Sequence, residues 1–223
     1  MTITSEVNRI NDVLKAELPA GGSRKDITIL AGSGAPRVLT VGEVVGSVLA
    51  GLTALTPVAS TANTGDGVPG AVTLGKFAQP GTYVLRCVVA STNAGTFSVR
   101  APGGRVLPDL TVAVAYETDE ISLTVADGAA DFIVGDTIYA QVIGERKIMQ
   151  LNLNGQNGSE VPVGFVADDY TAPDGTDEPG VIITRNAVAS VVGLKWPAGI
   201  TADQIEAFTA DLEDRGILVR SAA

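Results

Sequence analysis

The sequence predicts a mainly β, β-rich α+β fold. A core of short strands carries one C-terminal helix and is interrupted by an inserted antiparallel β-sandwich or barrel module. Three observations lead there. The 223 residues include 26 glycines and 11 prolines but only 4 % aromatics, a mixture that favours tight turns between strands of small aliphatic residues. Short period-two apolar runs recur along most of the chain. Helical periodicity with signals at both ends occurs once, near residue 200.

Residues 1–20 mix two signals. Val7, Ile10, Leu14 and Leu18 have helical spacing, whereas residues 1–4 are extended in character. Ile27 and Ile29 then alternate with Thr28 as a strand does. Residues 39–48 follow as a strand and turn in which Gly42 and Gly46 permit a sharp bend close to another strand. Residues 56–70 are built of Pro, Ala, Ser, Thr, Asn, Asp and Gly with isolated valines, and read as a linker that buries nothing.

The stretch after that linker reads as a module in its own right. Runs at 71–75, 82–90, 95–100, 110–116, 121–126 and 137–142 alternate with period two and are separated by turn signals. Leu85, Cys87, Phe97, Val99, Leu123, Val125 and Ile138 are its expected core. Cys87 shares strand parity with Tyr83, Leu85 and Val89, which reads as a buried small hydrophobe. Strand character resumes at 148–153, 161–170 and 181–185. In the C-terminal helix, Thr201 is the expected N-cap and Gln204 completes a capping box. Ile205, Phe208 and Leu212 line one face, Gly216 ends the helix, and Ile217-Leu218-Val219 runs on as a strand.

Composition narrows function by exclusion. A net charge of −10 disfavours nucleic acid as partner, because a phosphate backbone calls for clustered Lys and Arg. The excess of acid lies after residue 61, where ten basic side chains face twenty acidic ones. No run of about 18 apolar residues and no cationic-plus-apolar leader is visible, so the expectation is no membrane and synthesis in a cytoplasm. The absence of histidine removes the commonest general base and any Ser-His-Asp arrangement, and the chain reads as a non-enzyme with no catalytic residues and no cofactor. Asp168 and Asp169 are adjacent on a strand and point to opposite faces. Asp174, Asp177 and Glu178 lack the register of a calcium loop, so no metal site is expected. Gly32-Ser33-Gly34 precedes no helix that could receive a phosphate. Trp196, held extended before Pro197, is expected to pack over the helix end, and the pair is a candidate subunit contact.

Several stretches together resemble the lambda-type phage head decoration proteins. They are Val161-Pro162-Val163-Gly164-Phe165-Val166-Ala167-Asp168-Asp169-Tyr170, Val181–Arg185 and 190–220, with 17–32 and 39–48 preceding them. Leu18 and Lys25 depart from the family pattern, where an aromatic and a proline are usual. The resemblance covers about 5–52 and 145–220. It implies an N-terminal capsid-binding arm (1–20), a discontinuous decoration-protein core (21–58 and 144–223), and an inserted β-sandwich-like domain with linker (59–143). It also implies a structural, capsid-stabilising role as a homotrimer on the outer surface of the virion's expanded head. The partner would be the major capsid protein, reached by arm residues such as Thr2, Ile3, Thr4, Val7 and Ile10. Two alternatives stand beside it: a tail or baseplate component, or a module that binds a host-surface glycan through the insert.

Overall fold

A computed structural model of the chain describes residues 9–18 and 22–220. Two compact units emerge, one formed by Met1–Ala50 with Lys147–Ala223 and the other by Gly51–Arg146. The first segment carries α1 (Ile10–Val13), β1 (Leu14–Glu17), β2 (Arg24–Ile29), β3 (Arg37–Leu39) and β4 (Val44–Val48). The middle segment carries β5 (Leu52–Ala54), β6 (Val58–Ala59), β7 (Thr73–Leu74), β8 (Gly81–Ser91), β9 (Ala94–Arg100), β10 (Val106–Thr111), β11 (Tyr116–Glu117), β12 (Ile121–Leu123) and β13 (Thr137–Gly144). The last carries β14 (Lys147–Gln150), β15 (Pro162–Val166), β16 (Tyr170–Ala172), β17 (Glu178–Ile183), β18 (Ala187–Ser190), α2 (Ala202–Asp214) and β19 (Ile217–Arg220).

The first unit is built on a closed barrel in the order β14-β2-β17-β15-β4. Closure removes free sheet edges, and both faces of several strands are covered. The sequence encodes this as apolar pairs. Val44, Phe165 and Ile183 enter one buried cluster with Leu212, while their neighbours Val45, Val166 and Ile182 enter a second with Ile29 and Leu39. Successive strand residues point to opposite faces, so each pair serves two cores and β4 is buried at all five positions. Gly46 is needed because a Cβ there would lie 2.2 Å from the Ser159 carbonyl oxygen.

A second layer holds β1-β18-β19, with β18 and β19 parallel and α2 as their crossover. The helix follows its sequence signals. Thr201 Oγ1 accepts from the Gln204 N–H at 3.2 Å, and Gln204 Oε1 accepts from the Thr201 N–H at 3.0 Å. Leu212 is fully buried, Ile205 and Phe208 are half-buried, and Gly216 takes φ +82°. Among the described residues the helical spacing at the N-terminus yields the single turn α1. Leu14–Glu17 extends instead, because β18 offers it a backbone ladder.

The second unit contains a six-stranded sheet, β10-β9-β8-β13-β5 with β6 also on β13, and a three-stranded sheet, β11-β12-β7. All seven residues expected in its core are buried. Val89 departs from its predicted parity and is exposed, because the β8–β9 register shifts between Cys87 and Val89 and turns the later side chains outward. The stretch 56–70 is not a linker that buries nothing. Val58 and Ala59 pair with β13, Pro69 bridges Val125, and Gly65 and Gly67 are buried against Phe132. Its lack of large side chains is what admits the Phe132 ring, which stands edge-on to Phe97 at 5.0 Å. Asp136 anchors the same stretch by accepting from the N–H groups of Thr64 (3.0 Å), Gly65 (2.9 Å) and Ile133 (3.1 Å).

Candidate interaction site

The sequence-predicted contact residues fall in the first unit. Thr2, Ile3, Thr4 and Val7 lie outside the described residues. Ile10 sits on α1, half-buried against the cluster that contains Phe165 and Leu212. Val13, three residues on, is fully buried. Two glycines make room for it. A Cβ on Gly42 would meet Val13 Cγ2 at 2.8 Å and the Gly193 carbonyl oxygen at 2.4 Å, and one on Gly193 would meet Val13 Cα at 2.7 Å. The glycine at 42 was visible in the sequence; its use as a socket for Val13 was not, since the two are distant in the chain.

Around this socket the backbone of 40–44 is tied to 193–195. The Val44 N–H donates to the Lys195 carbonyl at 3.0 Å, and the Lys195 N–H donates to that of Gly42 at 2.8 Å. Lys195 Nζ donates to Thr40 Oγ1 at 3.0 Å, and Glu43 Oε2 accepts from the Thr40 N–H at 3.0 Å. Burial pushes the Glu43 carboxyl up, partly offset by its bonds from Thr40 and the nearby Lys195 charge. Below the socket, Arg24 forks onto Glu17 through Nε (3.0 Å) and Nη2 (2.8 Å), which holds that carboxyl below its ordinary range.

Trp196 and Pro197 follow directly, both half-buried. The indole stacks on Phe208 with ring centroids 6.3 Å apart and planes 19° from parallel. It therefore covers the second turn of α2 rather than its end. Among the described residues its buried Nε1 has no acceptor, while Val191 and Val192, on the turn just before, are exposed.

The acidic candidates are used locally. Asp168 and Asp169 do not sit on a strand, because β15 ends at Val166 and β16 begins at Tyr170, and they fall in the connection between. Asp169 Oδ1 accepts from the Val41 N–H at 2.8 Å, and Asp168 Oδ1 accepts from the Asp169 N–H at 2.8 Å, so the two carboxylates cap backbone separately. Asp174 Oδ1 accepts from the Gly34 N–H at 2.8 Å, and Asp177 takes the Ala31 N–H at 2.9 Å and pairs with Lys147. Lys147 first, then the Ala31 bond, holds the Asp177 carboxyl below its ordinary range. The Gly34 N–H that an anion would need is thus already engaged. Among the described residues no group of three or more Cys, Asp or Glu converges as a metal site. None of their helices is long and apolar enough to cross a membrane.

The first unit thus combines a closed barrel and a second β layer joined through α2, with Asp168, Asp169, Asp174 and Asp177 bonded to backbone or lysine. The family model described as bacteriophage lambda head decoration protein D matches residues 91–217, more than half of the chain. The chain belongs to that family. The match takes in all of β15–α2 and leaves residues 5–52 outside it. No curated protein matches the chain. Among solved structures, two crystal forms of Xanthomonas campestris FlgL match at 15 % identity and a TM-score of 0.30. They cover 50 % of this chain, which in turn spans about a third of FlgL (34 % and 33 %), and a likeness that low carries no argument.

Proposed function

We propose that this protein decorates the outer surface of a bacteriophage head, docking as a homotrimer on the major capsid protein of the expanded shell and stabilising it against the pressure of packaged DNA. The observation that carries the reading is the match to the head decoration family over residues 91–217. That family is one of structural proteins, which also accords with the absence of histidine from the chain. In this reading the N-terminal residues through Ile10 contact the capsid, and the Trp196–Pro197 corner with its exposed valines meets the neighbouring subunit. The middle segment faces away from the shell, where an addition does not disturb docking.

The physical logic is linkage. A ligand that binds only the expanded shell adds RT ln(1 + [L]/Kd) to its stability, about 2.7 kcal/mol per site at a hundredfold excess over Kd. A trimer that engages several capsid subunits at once raises its effective affinity without new kinds of contact. Co-sedimentation with empty shells of the phage that encodes it tests the reading. Binding to expanded shells alone, saturating at three copies per three-fold point, is expected. Absence of binding to either shell form overturns the proposal and points to a tail structure instead.

A further inference from the structure

In the six-stranded sheet of the second unit, one face packs inward on Tyr83, Phe97 and Ile138, and the other is turned to solvent. The strand registers place a single row across that outer face. Val58 on β6 is opposite Tyr139 on β13, Tyr139 opposite Val84 on β8, Val84 opposite Arg100 on β9, and Arg100 opposite Val106 on β10. Five strands at the usual spacing make the row roughly 19 Å long. Val58 is 63 % exposed, Val106 55 % and Tyr139 43 %, with Val84 half-buried between Tyr139 and the exposed Arg100, so the row is apolar and open at both ends.

Charge marks its centre. Arg86, exposed on β8, lies opposite Ser98, so it is the diagonal neighbour of Arg100 and of Tyr139. Among the described residues neither Arg86 nor Arg100 has a side-chain hydrogen bond or ion pair. Strands β5, β6, β8, β9 and β13 contain no Asp or Glu, in a chain whose net charge is −10. The one acidic side chain on the sheet's strands, Asp109 at the irregularity in β10, makes no ion pair with either arginine among the described residues. Diagonal neighbours lie within reach of long side chains, so two unpaired guanidinium groups so placed repel weakly and favour an anion laid across them. Guanidinium forks match carboxylates in a bidentate fashion, and a flat phenol flanked by valine methyls offers an apolar platform to the C–H face of a sugar ring.

We propose that this face binds a carboxylate-bearing polysaccharide, laid along the row with ring faces on Tyr139 and Val84 and carboxylates on Arg86 and Arg100. A platform suits an extended polymer; an acidic peptide would use the arginines without needing the exposed ring. The inference is independent of the capsid role, since it concerns only the sheet face.

The test is affinity electrophoresis of the full chain through gels containing polygalacturonate, with neutral dextran and soluble polyglutamate as comparisons. Retardation by polygalacturonate but not dextran is expected, little relieved by polyglutamate. Tyr139→Ala, and the double variant Arg86→Gln with Arg100→Gln, should each weaken it at least tenfold. Arg100→Lys should fall between, because lysine keeps the charge and loses the fork, and Arg215→Gln, at the residue following α2, should change nothing. No retardation by polygalacturonate overturns the proposal. So does equal displacement by polyglutamate, or retention of binding by the Tyr139→Ala variant with its thermal midpoint unchanged.

Discussion

Gly67→Ala gives a change of sign between two pictures of residues 56–70. In a free linker, alanine for glycine narrows the unfolded ensemble and stabilises by about 0.4–1 kcal/mol. In the structure, a Cβ at 67 would lie 2.4 Å from the Ala126 carbonyl oxygen and 2.5 Å and 2.7 Å from Phe132 Cε2 and Cζ. The backbone oxygen cannot retreat cheaply. The ring is only 1 % exposed and is held edge-on by Phe97, so it has nowhere to turn. Overpacking of this kind costs about 1–3 kcal/mol, and displacing the aromatic pair adds about 0.5–1.5. Less the gain of about 0.4–1 kcal/mol through the unfolded chain, a net loss of roughly 1–4 kcal/mol is therefore expected within the second unit. Because two units can unfold separately, the readout is amide hydrogen exchange of β8 and β13 rather than a single melting point. Their slowest amides should exchange on the order of fivefold to seven-hundredfold faster, at about tenfold per 1.4 kcal/mol. Unchanged or slower exchange would refute the packing of 65–67 under Phe132.

Three further outcomes follow from the polar contacts. Burial alone raises the Asp136 carboxyl, but the N–H donors of Gly65, Thr64 and Ile133 outweigh it and hold the group below the usual carboxylate range. The unfolded chain then binds its proton first as pH falls, so the stabilisation is present above the ordinary Asp value of about 3.9 and is lost below it. Asp136→Asn should cost about 1–3 kcal/mol at neutral pH and remove that part of the acid limb in a denaturant series. Glu43 runs the other way: with its folded pKa raised, the native state holds the proton longer and stability falls as pH rises above about 4.3. Glu43→Gln, which keeps an oxygen for the Thr40 N–H, should flatten this slope; a slope unchanged by the substitution would dismiss Glu43 as its source. Thr201→Ala should lower stability by about 1 kcal/mol through the lost cap, measured by urea unfolding, and a neutral result would mean that the first turn of α2 is held by packing instead.

The decoration family was legible in the apolar and acidic pairs of 161–170 and in the capped helix before Gly216, both inside the matched residues 91–217, whereas the glycine spacing at 42 and 46 lies outside that match. These signals are local. Chirality, hydrogen-bond capping and side-chain alternation act within a few residues, so α2, its N-cap and the alternating core of β8 and β9 could be read before any contact was known. What the linear pattern could not carry was who covers whom. A stretch poor in large side chains is equally a linker or a surface moulded around one ring, and only Phe132, some sixty residues on, decides for the second. Helical spacing over 7–18 gives way to β1 because β18, far along the chain, supplies a ladder stronger than an isolated turn. The row from Val58 to Val106 exists only through the register of five strands, four of them distant in sequence from Val58. Residue identity sets the local conformations; long-range pairing sets which faces are buried, and so which remain to meet a partner.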